Sequence, residues 1–221
     1  MELYLDTADI KEIKRLNDIL KVDGVTTNPA IICKSQKEPL TVIKEIIEIL
    51  DDNQKLFVQT VSEDYDGILK EAREISKLKK KNMVVKIPVT TNGLKAIKVL
   101  SEEKITILAT AIYTAESAFL AAKNGAAYLA PYVNRMDNYG DGVLEVIELQ
   151  TMLEKAGFNT KITAASFKNV NQVHRLLVAG IYSLTLPVDV YDNIIYHPGA
   201  QIAVDQFSDN WNKTFKRKTF K

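Results

Sequence analysis

Eight short runs of β-branched and apolar residues recur along the 221-residue chain, and they constrain the fold more than any other feature. They are Leu3–Asp6, Gly24–Thr27, Leu56–Val61, Met83–Pro88, Ile105–Ile112, Ala127–Val133, Lys161–Ser166 and Ser183–Pro187. Most are nearly continuous apolar segments, the pattern of strands buried on both faces of a parallel sheet. Helical periodicity fills the gaps. Ile10, Ile13, Leu16 and Leu20 share one face, as do Leu40, Ile43, Ile46, Ile47 and Leu50. Leu94/Ile97/Leu100, Ala115/Ala118/Phe119/Ala122, Val143/Val146/Ile147 and Val170/Val173/Leu177 mark later helices. Ser62 before Glu63 and Asp64 reads as an N-cap with an acidic first turn.

The runs begin at positions 3, 24, 56, 83, 105, 127, 161 and 183, so 21 to 34 residues separate successive starts. Each interval fits one right-handed crossover unit. No linker or shift in composition divides the chain. The prediction is an α/β protein with one domain over residues 1–221, a (β/α)8 TIM barrel. An extra C-terminal helix follows at about 199–215, carrying Ile202, Phe207, Trp211 and Phe215. An open doubly wound sheet is the alternative, but no G-x-G-x-x-G or Walker-type phosphate loop follows any run.

Composition narrows the partners. The net charge is +1, so no global field recruits nucleic acid or an anionic membrane. No apolar run approaches the ~20 residues of a membrane helix. The basic stretch from Lys213 to Lys218 reads as a solvated tail, and Lys79, Lys80 and Lys81 as a helix end. Cys33 is the single cysteine and reads as a buried small hydrophobe, with no intrachain disulfide available. With no signal peptide after Met1, the expectation is a cytoplasmic protein. His174 and His197 offer no zinc-ligand spacing.

In a barrel, chemistry gathers at the C-terminal ends of the strands. Those ends carry Asp6, Thr26-Thr27-Asn28, Gln59 and Thr60, Lys86, Thr110 and Tyr113, Tyr132 with Asn134 and Arg135, Ser166, and Thr185 with Asp189. Lys86 lies in the otherwise apolar Met83-Val84-Val85-Lys86-Ile87-Pro88-Val89. Burial there depresses an amine's pKa, and the neutral amine attacks carbonyls. A snorkelling edge residue or an ion pair with Asp6 is the structural alternative. Asp6 reads as a general base facing Lys86 across the mouth, or as a helix N-cap. Arg135 is a candidate phosphate anchor, or pairs with Asp137 or Asp141. Gly140-Asp141-Gly142 reads as a turn rather than a phosphate loop.

Leu5-Asp6-Thr7-Ala8, Gly24-Val25-Thr26-Thr27-Asn28-Pro29, Val84-Val85-Lys86-Ile87-Pro88-Val89-Thr90 and Ala130-Pro131-Tyr132-Val133-Asn134-Arg135 resemble the small transaldolase-like class I aldolases. Ala164-Ala165-Ser166-Phe167-Lys168 and Thr185-Leu186-Pro187 extend the resemblance to essentially the full chain. It implies a Schiff base on Lys86 and Asp6 as the proton-transfer carboxylate. Asn28 and Ser166 would hold the dihydroxyacetone hydroxyls, with Thr26 and Thr27 in the same motif. Arg135, Ser166 and Lys168 would hold the phosphate. No organic cofactor or metal is implied. The terminal helix would pack on a neighbouring subunit of a homo-oligomer, a decamer of two rings. Gln59, Thr110 and Tyr132 resemble the fructose-6-phosphate aldolases; transaldolases of this type carry Glu and Phe at the Gln59 and Tyr132 positions. A phenol can exchange a proton and Phe cannot, so cleavage that frees dihydroxyacetone is the expectation. Transfer of that unit from fructose 6-phosphate to erythrose 4-phosphate is the alternative. After Ser166-Phe167-Lys168 no arginine follows until Arg175, a departure from the family pattern at the phosphate site.

Overall fold

The computed structural model describes residues 1–221. Its eight strands are β1 (Glu2–Asp6), β2 (Gly24–Thr26), β3 (Lys55–Gln59), β4 (Met83–Pro88), β5 (Ile107–Ile112), β6 (Tyr128–Pro131), β7 (Lys161–Ala164) and β8 (Ser183–Leu186). Every neighbouring pair is parallel, and β8 returns to β1, closing a (β/α)8 barrel rather than an open sheet. The crossover helices are α1 (Ile10–Ile19), α3 (Pro39–Ile49), α4 (Tyr65–Ile75), α5 (Thr91–Glu102), α6 (Ala115–Lys123), α8 (Gly142–Lys155) and α9 (Val170–Val178). Short α2 (Pro29–Cys33), α7 (Val133–Met136) and α10 (Val188–Ile195) sit in loops at the mouth, and α11 (Pro198–Phe215) ends the chain.

Polar side chains start most of these helices where the strands end. Asp9, Asn28, Asp64, Thr90, Thr114, Asp141 and Asn169 each accept a backbone N–H of the following turn. The cap of α4 is thus Asp64, not Ser62. Ser62 instead hydrogen-bonds Glu71, which also accepts Val61 N and Ser62 N. Gly93 brings α5 against β4: a Cβ there would lie 2.0 Å from the Pro88 carbonyl oxygen.

Two hydrophobic layers hold the barrel. Outside it, helix faces pack against outward strand residues such as Leu5, Val25, Val58, Val85 and Ile87. Inside it, Tyr4, Phe57, Val84, Leu108, Ala130 and Ala165 form a separate plug. Tyr4 meets Phe57 edge-on with ring centres 4.8 Å apart. This plug floors the mouth and keeps the two ends of the barrel separate.

Several local expectations need correction. Cys33 is exposed, because α2 turns only Ile32 inward. Lys79 does not end a helix. It is buried beyond α4, and its ammonium donates to the carbonyls of Asp51, Gln54 and Lys81 at 3.1 Å each. The buried face of α9 runs through Val173 and Leu176, leaving Val170 and Leu177 exposed. The sixth run stops being strand at Pro131, since Val133 begins α7. The terminal helix spans Pro198–Phe215, as expected, but it contains no buried residue. No helix is long and apolar enough to cross a membrane.

Candidate active site

The side chains pointing into the C-terminal mouth come from alternate strand positions just above the plug. Lys86 is opposite Gln59 in the β3–β4 register, and Asp6 is opposite Thr26 in the β1–β2 register. Lys86 is only 5% exposed, and burial and the Asp6 charge, not a side-chain hydrogen bond, act on its amine. Burial lowers its pKa from the usual lysine value, and Asp6 is the charge that opposes the shift. Burial raises Asp6 above the ordinary aspartate value, against the pull of Lys86, the Thr26 hydrogen bond and Lys34. Each of the two is thus pushed toward its neutral form. The Asp6 side chain is held by the Thr26 hydroxyl rather than by a salt bridge to Lys86, which acts on it only as a nearby charge.

Asp6 is not a helix cap; Asp9 caps α1. Its Oδ1 accepts the Thr26 hydroxyl at 2.8 Å. The Thr26 hydroxyl is also 2.6 Å from that of Thr185, so Thr185 donates to Thr26 and Thr26 to Asp6. A cleft of about 560 Å³ runs outward from Asp6 past Thr7, Lys34 and Ser35.

Opposite this chain lies a second polar group. Thr110 Oγ1 and the Tyr132 hydroxyl are 3.1 Å apart. Gln59 Oε1 is shut off from solvent and has no hydrogen-bond partner. The backbone here is irregular. Ala111 has φ +56 at a register shift in β5, and Ser166 has φ +64 just after β7. Left-handed conformations at non-glycine residues are strained, and a bulge re-aims the side chains beside it. The bulge follows Thr110 directly.

The remaining candidates divide. Asn28 Oδ1 caps α2 by accepting Ile31 N at 2.9 Å, leaving its amide N–H groups without protein partners. Ser166 is half-buried at the rim and accepts Asn134 N through its carbonyl. Arg135 is exposed on α7 and donates to the Tyr113 hydroxyl at 2.8 Å, not to Asp137 or Asp141. Asp141 pairs with Arg175 at 2.7 Å. Thr27 is fully buried and donates its hydroxyl to the Phe57 carbonyl, so it ties β2 to β3 rather than entering the mouth. Lys168 is exposed in the loop before α9. No cluster of His, Cys, Asp and Glu is arranged to ligate a metal.

Sequence reasoning missed Gln172. It is buried at the start of α9, donates to Asn134 and Asp137, and accepts Lys168 N. One amide thereby joins the helix bearing Arg135 to the loop bearing Ser166 and Lys168. No strand pattern marks it, because the two groups it donates to, Asn134 and Asp137, are more than 30 residues away.

Solved structures of other proteins share this architecture. A mutant flavocytochrome b2 with pyruvate bound superposes with a TM-score of 0.61 at 16% identity, covering 85% of this chain and 56% of that one. Another flavocytochrome b2 variant gives a TM-score of 0.60 at 16% identity, with coverage of 85% and 56%. A sulfite-bound form gives 0.58 at 16% identity, covering 90% and 59%. This chain spans little more than half the length of those proteins, and at that identity the likeness concerns the barrel fold alone. A family model described as Transaldolase/Fructose-6-phosphate aldolase matches residues 3–220, so the chain belongs to the transaldolase/fructose-6-phosphate aldolase family.

Proposed function

We propose that the protein is a class I aldolase that reversibly cleaves fructose 6-phosphate to dihydroxyacetone and glyceraldehyde 3-phosphate. The observation that carries this reading is Lys86: a buried amine with no side-chain hydrogen bond, depressed pKa and Asp6 as its charged neighbour. The neutral amine attacks the ketose carbonyl, and loss of water gives an iminium. Asp6, as carboxylate, takes the proton of the C4 hydroxyl as the C3–C4 bond breaks. The bond's electron pair moves into the iminium, leaving an enamine on Lys86 and releasing the aldehyde. Asn28 and Ser166 hold the hydroxyls of the three-carbon unit, and Arg135 with Lys168 holds the phosphate.

The fate of the enamine separates the two activities of the family. Gln59 Oε1 needs a donor, and the Thr110–Tyr132 hydroxyl pair is part of the same mouth. A water bridging these groups satisfies the orphaned oxygen and delivers a proton to the enamine carbon. Hydrolysis of the resulting iminium then frees dihydroxyacetone. In transaldolase chemistry the enamine instead waits for an acceptor aldehyde. Fructose 6-phosphate supplied without acceptor distinguishes them. Dihydroxyacetone should appear; its absence, with transfer once erythrose 4-phosphate is added, sinks the aldolase reading. Borohydride with a ketose should label Lys86 by mass.

The assembly is a proposal of the same kind. Ile202, Val204, Phe207 and Phe215 are exposed on α11, which buries nothing against its own barrel. A second copy of the chain covering that helix makes a homo-oligomer, expected as a decamer. Light scattering that returns a monomer removes it.

A further inference from the structure

We infer that Tyr113 is a positioning residue that fixes Arg135 for an anionic substrate group and sets the preference for phosphorylated over unphosphorylated substrates. The inference rests on the aldolase reading of the site.

Arg135 lies on a four-residue helix at the rim, exposed and without an ion pair. Such a side chain normally samples many rotamers, and an anchor that must first be ordered binds weakly. Here two phenols form a corner around it. The Tyr113 hydroxyl accepts from Arg135 Nη1 at 2.8 Å. The guanidinium carbon stands 4.7 Å from the centre of the Tyr132 ring. The two rings meet edge-on, 5.9 Å apart with planes at 67°. Each member of the corner touches the other two.

The nearby carboxylates are kept away from it. Asp137 accepts from Gln172 and Gly142 N, and Asp141 accepts from Arg175 and caps α8. Arg135 therefore keeps its full charge and its remaining donors for a ligand. The group that orients the guanidinium is a phenol rather than a carboxylate. The Tyr113 hydrogen bond also raises the Arg135 pKa further. Tyr113 owes its place to the β5 irregularity, since it follows Ala111 and the register shift by two residues. The same bulge thus serves both Thr110 and the anion anchor.

The test measures addition of dihydroxyacetone to glyceraldehyde 3-phosphate and to glyceraldehyde. The enzymes are wild type, Tyr113→Phe, Arg135→Gln and the double variant. Phenylalanine keeps the ring contacts and removes only the acceptor. The ratio of kcat/KM for phosphorylated over unphosphorylated aldehyde should fall roughly threefold to tenfold in Tyr113→Phe, through KM. Arg135→Gln should remove the preference, and adding Tyr113→Phe to it should change the ratio no further. An unchanged ratio, an equal loss with both aldehydes, or the same fall in the Arg135→Gln background overturns the inference. Calorimetric titration with inorganic phosphate gives a readout free of turnover: Kd should weaken by the same factor, and an unchanged Kd counts against Tyr113. Absence of a borohydride-trapped adduct on wild-type Lys86 would remove the aldolase reading itself, and the phosphate titration would still decide the role of Tyr113.

Discussion

The two ends of the barrel carry nearly the same ingredients and use them in opposite ways. At the N-terminal end, Glu2, Lys55, Tyr4 and Tyr182 form a closed network. Lys55 donates to Glu2 Oε1 at 2.8 Å, Tyr182 donates to the same oxygen at 3.1 Å, and Tyr4 donates to Oε2. At the C-terminal end, Asp6, Lys86, Tyr132 and Thr110 leave the amine without a side-chain hydrogen bond and the neighbouring Gln59 oxygen orphaned. Burial alone would raise Glu2, yet Lys55, Tyr4 and Tyr182 bring it below the ordinary glutamate value. At the mouth, burial prevails over the partner for both Asp6 and Lys86. A lysine and a carboxylate near each other therefore do not define a function. The satisfied set braces the fold, while the unsatisfied set has capacity left for a ligand and a proton.

The largest expected contrast comes from removing each lysine. Lys86→Ala should lower cleavage by roughly 10⁴-fold or more and abolish trapping, with thermal stability unchanged or raised. Lys55→Met should do the reverse, costing about 1–3 kcal/mol of stability while trapping at Lys86 persists. If both variants lose mainly stability, the mouth is another structural network. Asp6→Asn should cost roughly 10²–10⁴-fold in cleavage, read by steady-state kinetics, while dihydroxyacetone can still be trapped on Lys86.

A smaller effect is expected at Tyr132. Tyr132→Phe should reduce dihydroxyacetone release roughly tenfold to a hundredfold while sparing transfer to an added aldehyde. Equal loss of release and transfer would contradict its role in protonating the enamine. The smallest contrast is in pH. Because Glu2 is lowered in the fold, its stabilisation is complete above its unfolded value of about 4.5 and is lost as pH falls through the lower folded value. Lys86, also lowered, gives the same sign of dependence, but as a cost and in a higher pH window. Its folded value lies below 10.5, so its burial costs stability below that pH, and the cost fades as pH rises toward 10.5. Its nucleophilic fraction rises through that lower folded value. Chemical denaturation of Glu2→Gln should show about 1–2 kcal/mol lost at pH 7 and less in acid, and a pH-independent difference would argue against the network.

Much of the fold was legible because burial on both faces leaves a periodic trace. The eight apolar runs match the eight strands to within three residues at either end. Lys86 was legible for a related reason, as a single charge in a run otherwise spent on burial. Glu2 was not, because a charge at the first position of a strand looks like a solvated end. Lys79 and Gln172 were hidden for another reason: the backbone carbonyls that accept from Lys79, and the Asn134 amide and Asp137 carboxylate that accept from Gln172, are brought together only by the fold.

The sequence alone determined the order of strands and helices, the closed (β/α)8 class and the polar residues available at each strand end. Those follow from local periodicity and from the absence of any break in it. Only the tertiary structure decided which lysine and carboxylate would pair and which would not. It also aimed Thr27 into a strand contact, turned Cys33 outward and held Arg135 between Tyr113 and Tyr132. These depend on register, on a bulge at Ala111 and on hydrogen-bond partners distant in the chain. Side-chain period specifies which face a residue occupies, and only closure of the barrel specifies what stands opposite it.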